Sequence, residues 1–248
     1  NKKGQKIDIP MRYNLTNFLP SFLVFLKKKR LKKFIQWNNH CENLKKNFPI
    51  IYKDYNKENK SKLMDLYYFM DRLGKISSKK NILVTDAGSN YYIGGQVWNF
   101  EKNQKELSSY TNAAMGLSIP LAIGAAVASP KSTILSVTGD GSLELNIQEL
   151  KTISHNKFNI KLFVINNGGY VSMHNWADTF FRGRRVDNPV DTGDGTLNLK
   201  NIAKAFDMDY FLIPNSKNLD FKLKKINNIK RPLFIEVYKY QSLNKPKY

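Results

Sequence analysis

Residues Thr133-Ile134-Leu135-Ser136-Val137-Thr138-Gly139-Asp140-Gly141-Ser142 decide how this chain folds. The apolar and β-branched positions from Thr133 to Val137 read as a buried strand, and the glycines on either side of Asp140 turn the backbone sharply off its end. Ser142 is placed to cap the helix that follows and to leave the first N–H groups pointing at a phosphate. Leu143, Ile147 and Leu150 then recur at helical spacing, and Lys161-Leu162-Phe163-Val164-Ile165 forms a second strand that ends in Asn166-Asn167. Parallel strands emerge on one sheet edge, where ligands of open α/β sheets bind. Asp140 and Asn167 can therefore meet on one metal. Magnesium takes oxygen ligands and bridges to substrate phosphates, so one carboxylate, one amide oxygen and a backbone carbonyl suffice for it.

The sequence contains its own control, because Thr192-Gly193-Asp194-Gly195 repeats the turn without a preceding strand. Asp187, Asn188, Pro189 and Asp191 come before it, and Phe221 stands where an asparagine would be needed, so this copy reads as a surface turn. Neither copy fits a calcium loop, since the twelfth position is Ile147 or Asn201 in place of glutamate.

Composition sets outer bounds. At 248 residues and 42% hydrophobic content the chain has enough apolar material for a folded core. No run of about 18 apolar residues is present and no apolar signal core follows the first lysines, so cytoplasm is the expected location and no membrane partner is expected. Cys41, beside His40, is the single cysteine and lacks the ligand count of a zinc site. The formal charge of +20 allows a third, non-catalytic reading as a basic nucleic-acid-binding module. The lysines are scattered apart from the run at 27–33, as on a solvated face, so nucleic acid is not the expected partner.

The Gly-Asp-Gly-Ser turn, the run Asn146-Ile147-Gln148-Glu149-Leu150 and the Asn167 that lies 27 positions after Asp140 resemble the diphosphate-binding domain of thiamine diphosphate enzymes, and among them the acetolactate synthase group. The resemblance covers about residues 80–240 well and the first 80 loosely. It implies a three-layer α/β/α domain with a mainly parallel sheet, and thiamine diphosphate and Mg2+ as cofactors. Asp140, Asn167 and the carbonyl of Gly169 would hold the metal. Gly139, Gly141, Ser142, Asn167 and Tyr170, with Ser89 and Asn90 after the strand Asn81–Thr85, would hold the cofactor. Read without the family, Ser89 and Asn90 serve equally as an ordinary helix cap. Met115 would be the large apolar residue on which the cofactor bends, with backbone groups of Ala113 and Met115 at its pyrimidine; the family usually has glycine where Ala113 stands. Trp176 falls where acetolactate synthases carry a tryptophan of the acceptor pocket, but it reads equally as a core or interface aromatic. The next position in those synthases is Gln or Glu; here it is Ala177.

The expected reaction is a decarboxylating carboligation of a 2-oxo acid such as pyruvate. The alternative within the same cofactor class is another 2-oxo acid decarboxylase or a surface-sugar carboligase, favoured by Ser172, Ala177 and the Phe180-Phe181 pair. In the family a glutamate from a separate amino-terminal domain, usually of a partner subunit, activates the pyrimidine. The resemblance thus implies a homo-oligomer, a dimer or tetramer through the cofactor site, with no catalytic residue in this chain, little activity alone, and FAD possible only in a missing part.

The rest of the chain is organised around that domain. A strand Lys6–Ile9 and a helical stripe of Leu19, Phe22, Leu23 and Leu26 place the end of a preceding central domain in residues 1–30. Residues 31–80 read as a linker with packing helices: Leu31–Phe48, with Phe34, Trp37 and Cys41 on its packing side, and Leu63–Leu73, ended by Gly74. Residues 81–248 form the cofactor-binding domain. His174, whose ordinary pKa near neutrality would allow a general base, reads as a wall residue, and His155, at the end of the helix after the metal turn, has no partner motif and reads as a helix-end residue.

Overall fold

The computed structural model describes residues 8, 10–29, 33–51, 64–184 and 197–238. The chain divides into two units, Asn1–Pro49 and Ile50–Tyr248. In the first, α1 (Leu15–Lys28) is capped by the Asn14 side chain and carries the expected apolar stripe; α2 (Ile35–Asn47) follows. Neither helix has a buried residue, and Phe34 and Trp37 are exposed. The expected strand at residues 6–9, the polar stretch 53–62, Leu63 and the second Thr-Gly-Asp-Gly turn lie largely or wholly outside the described residues.

The second unit is built on a six-stranded sheet in which every pairing is parallel. Its strands are β1 (Asn81–Thr85), β2 (Lys105–Leu107), β3 (Thr133–Gly139), β4 (Ile160–Asn166), β5 (Asp209–Ile213) and β6 (Leu233–Tyr238), in the spatial order β2-β1-β3-β4-β6-β5. This is the three-layer architecture expected from the sequence. Residues alternate strictly between the two faces. Leu83, Leu135, Val137, Phe163, Ile165 and Ile235 join one core with α3 (Leu66–Ile76), α4 (Ser89–Val97) and α10 (Leu219–Asn228). Ile82, Val84, Ile134, Leu162, Val164 and Phe234 join the other with α5 (Ser118–Ala128), α7 (Leu150–His155) and α9 (Leu199–Ala205). Both faces are covered, which is why the inner strands β1, β3, β4 and β6 are mainly apolar.

Three local expectations are corrected. Gly74 does not end α3, which runs on to Ile76; a Cβ at Gly74 would lie 3.3 Å from the Trp98 ring, so this glycine serves close packing. Ser142 does not cap the helix after the turn. That helix, α6 (Asp140–Glu144), starts at Asp140 with Gly139 in the cap position, and the Asp140 carboxylate itself accepts the Gly141 N–H at 3.0 Å. The helix expected to run from Leu143 through Leu150 is broken after Glu144. There Asn146 turns its side chain to donate to the Gly116 carbonyl at 3.1 Å, and the backbone continues as a 3-10 turn (Ile147–Glu149) into α7.

No helix among the described residues is long and apolar enough to cross a membrane. At the amino end of β4, Lys161 is fully buried, with Nζ donating to Asn159 Oδ1 at 2.7 Å and to the Arg231 carbonyl at 2.5 Å. Burial first, and then the charges of Lys230 and Arg231, lower its pKa to about 7. The native state therefore binds fewer protons than the unfolded chain between about pH 7 and the ordinary lysine value, and stability gains a rising contribution across that window. Lys161→Met removes this contribution: urea midpoints of the variant, compared with the parent from pH 7 to 10, lack the upward component.

Candidate functional site

Strand order reverses after β2, because the chain returns from the β2 edge to place β3 on the other side of β1. The carboxyl ends of β1 and β3 therefore part, and ligands of open α/β sheets bind in such a crevice. A cleft of roughly 170 Å3 opens there. It is lined by Ala87, Gly88, Ser89 and Asn90 after β1, Gly139 to Ser142 after β3, and Asn167 and Gly169 to Met173 after β4, with Met115 entering before α5.

Asp140 is the electrostatic centre of this cleft. It is 7% exposed, and its Oδ2 accepts backbone N–H groups from Asn167 (3.2 Å), Gly168 (2.9 Å) and Gly169 (3.0 Å), while Oδ1 accepts from Gly141. Burial pushes its pKa up, and these four N–H groups oppose the rise. Gly168 and Gly169 adopt φ of +80° and +107°, which lets three successive amides converge on one oxygen at no side-chain cost. Gly141 is needed for space: a Cβ there would lie 2.6 Å from the Tyr170 ring, whose hydroxyl donates to Glu144 at 3.2 Å.

The end of the Asn167 side chain lies 3.0 Å from Asp140 Oδ1 and 2.7 Å from the Gly169 carbonyl oxygen. With its nitrogen in that place the amide donates to both; with its oxygen there, three oxygens converge. Amide orientation follows the charges present, and three converging oxygens are reconciled by a cation. The donor set of carboxylate, amide and carbonyl is that of a hard ion. Among the described residues no three His, Cys, Asp or Glu side chains gather as a metal site.

Of the residues singled out in the sequence, Ser89, Asn90, Met115, Gly139, Asp140, Gly141, Ser142, Asn167, Gly169 and Tyr170 all line the cleft. Ser89 and Asn90 open α4, whose cap position is Gly88, so neither is a side-chain cap. Two expected residues are not in the lining. Ala113 stands at φ +45°, a conformation glycine adopts more readily. Trp176 is 58% exposed on α8 (Val171–Phe180), with its ring 4.5 Å from that of Phe180.

Asp86 is the residue that sequence reasoning passed over. Fully buried at the end of β1, it accepts from Thr138 Oγ1 (2.7 Å), Ser118 Oγ (3.1 Å), the Ala87 N–H (2.7 Å) and the Gly116 N–H. Its carboxylate thus ties the ends of β1 and β3 to the start of α5. Burial raises its pKa against all four bonds. The only signal for it was an acidic residue ending an apolar strand. Asp86→Ala leaves these donors unpaired at about 1–3 kcal/mol for each that water cannot reach; a urea titration would show the loss as a lowered midpoint with an unchanged slope.

The family model for the thiamine pyrophosphate enzyme, C-terminal TPP binding domain, matches residues 86–237. The chain is 28% identical over 213 residues to acetolactate synthase 2, chloroplastic, of Zea mays, covering 84% of this chain and 33% of that protein. It is 28% identical over 200 residues to the acetolactate synthase large subunit of Cyanidium caldarium, covering 81% and 33%. It is 31% identical over 150 residues to acetolactate synthase, chloroplastic, of Arabidopsis thaliana, covering 60% and 22%. The chain thus spans a third or less of the length of these relatives.

Proposed function

Because this chain belongs to the thiamine pyrophosphate enzymes and contains their C-terminal cofactor-binding domain, we propose that its cleft holds the diphosphate of thiamine diphosphate through a magnesium ion. We read the reaction it serves as decarboxylating carboligation of a 2-oxo acid such as pyruvate. The single observation that supports the metal is the Asn167 side-chain end lying 3.0 Å from Asp140 Oδ1 and 2.7 Å from the Gly169 carbonyl oxygen. Those three groups would hold the ion, and Ser89, Asn90 and Ser142 would donate to phosphate oxygens. Bound there, the cofactor supplies carbanion stabilisation for breaking and making a carbon–carbon bond beside a carbonyl.

The remaining work falls to this chain's residues. Met115, 37% exposed at the cleft, offers an apolar prop for the cofactor rings, and the Tyr170 ring on Gly141 shuts water from the turn beneath the phosphates. The cleft's roughly 170 Å3 falls short of the ~300–1,000 Å3 of pockets that enclose a whole ligand of this size. We therefore assign the other wall, and the carboxylate that activates the pyrimidine, to groups outside these 248 residues, brought up by a partner subunit of a homo-oligomer. Acetolactate synthase-like chemistry is favoured by the relatives' names. Another 2-oxo acid decarboxylase or a surface-sugar carboligase remains the second reading, favoured by Ala177 and by the exposed Phe180 and Phe181.

Calorimetric titration of thiamine diphosphate, with magnesium and with EDTA, tests the proposal. Binding is expected only with magnesium and is expected to vanish in Asp140→Ala while the far-ultraviolet spectrum is retained. Equal affinity with EDTA would overturn the metal assignment. Product analysis with pyruvate then distinguishes a two-substrate ligation from simple decarboxylation to an aldehyde.

A further inference from the structure

We propose that Glu236 is a positioning residue for the cation site, holding Asn166 and, through it, the loop that carries Asn167 and Gly169. The inference rests on reading the cleft as a diphosphate and magnesium site. Glu236 lies in β6 and is 4% exposed. Both of its oxygens are occupied: Asn166 Nδ2 donates to Oε1 at 2.7 Å, and the Tyr210 hydroxyl donates to Oε2 at 2.5 Å. Burial, followed by the bond to Glu236, raises the Tyr210 pKa, so the hydroxyl keeps its proton and remains a donor.

Position in the ladder gives this network its reach. Val164 is the register partner of Glu236 and Asn166 that of Tyr238, so Glu236 reaches along the strand by one pleat on the face that Val164 and Asn166 share. Asn166 is the last residue of β4. Beyond it no strand pairing holds the chain, yet the next three amides must all reach Asp140 Oδ2. The Asn166 side chain is the last anchor before the loop leaves the sheet. A leucine at 236 would fill the space with less desolvation, but it could not accept from Asn166 and Tyr210 together. Outer groups that orient metal ligands in this way typically change metal affinity by about 10–100-fold when removed.

The test uses the full chain with Glu236→Leu, Tyr210→Phe, and the exchanged pair Asn166→Asp with Glu236→Gln, in which the new amide donates to the new carboxylate and still accepts from Tyr210. Amide hydrogen exchange without ligand is read at Asn167, Gly168 and Gly169, with β1 amides as reference, beside the magnesium-dependent affinity for thiamine diphosphate. Glu236→Leu is expected to speed exchange at the three loop amides by about tenfold or more, leaving β1 unchanged, and to weaken the affinity by about 10–100-fold; the exchanged pair restores both. Loop exchange unchanged in Glu236→Leu, or no restoration by the exchanged pair, overturns the assignment. Should Glu236→Leu loosen β1 as well, Tyr210→Phe and the exchanged pair decide on the same loop-to-β1 ratio. A parent chain that binds thiamine diphosphate equally well with magnesium and with EDTA sinks the reading of the cleft, and the exchange data still settle the role of Glu236.

Discussion

The buried carboxylate of Asp140 is the constraint around which the rest of this site is arranged. Removing a carboxylate from water costs several kcal/mol unless its lone pairs are satisfied, and here four backbone N–H groups from two loops satisfy them. Three successive amides can converge on one oxygen only if the backbone enters the left-handed region, which fixes Gly168 and Gly169 as glycines. Partial charges on amides lower the cost of the anion but do not neutralise it. The same bonds that stabilise the turn leave the Asn167 amide between Asp140 Oδ1 and the Gly169 carbonyl.

Where that carboxylate sits follows from topology. A chain that lays β2 on one side of β1 and β3 on the other must leave a gap above the β1 and β3 ends. Asp86 keeps the gap from becoming a floppy one, because it draws donors from the β1 turn, from β3 and from the segment before α5. Glu236 does the same on the far side of β4. Three buried carboxylates thus lie toward the carboxyl edge of the sheet, each accepting from neighbouring segments, and satisfied buried polar networks of this kind rigidify the segments they join.

How much of this was legible in the sequence depends on how local each cause is. Strands buried on both faces announce themselves as apolar runs, so β1, β3 and β4 were readable, and the turn motifs at their ends named most of the cleft lining. β2 was not readable: three residues at a sheet edge, Lys105 to Leu107, have no periodicity to show. The break after Glu144 depends on Gly116, some thirty positions away, and Gly74 is a packing contact with Trp98 that only the fold creates. Ser142 looked like a cap because capping is judged from neighbours, whereas the N–H groups at this turn were claimed by Asp140 and its loop. Asp86 and Glu236 were missed for a related reason, since a lone acid beside an apolar strand does not reveal that its donors come from other strands.

The charge of the chain belongs to a different level of explanation. A formal +20, carried among the described residues largely by exposed lysines, is screened within about 8–10 Å at physiological ionic strength, whereas the carboxylates at the sheet edge are buried. The potential felt in the cleft is set by Asp140, by the amides that donate to it within 3.2 Å and by the Asn167 side chain and the Gly169 carbonyl beside it. Surface lysines can draw a polyanionic cofactor toward the molecule and hasten its arrival. They cannot choose its pose. Under the proposed reading a carboxylate and two neutral oxygens would face a diphosphate, and a divalent ion would have to stand between them, so the local geometry and not the sign of the whole chain would decide binding.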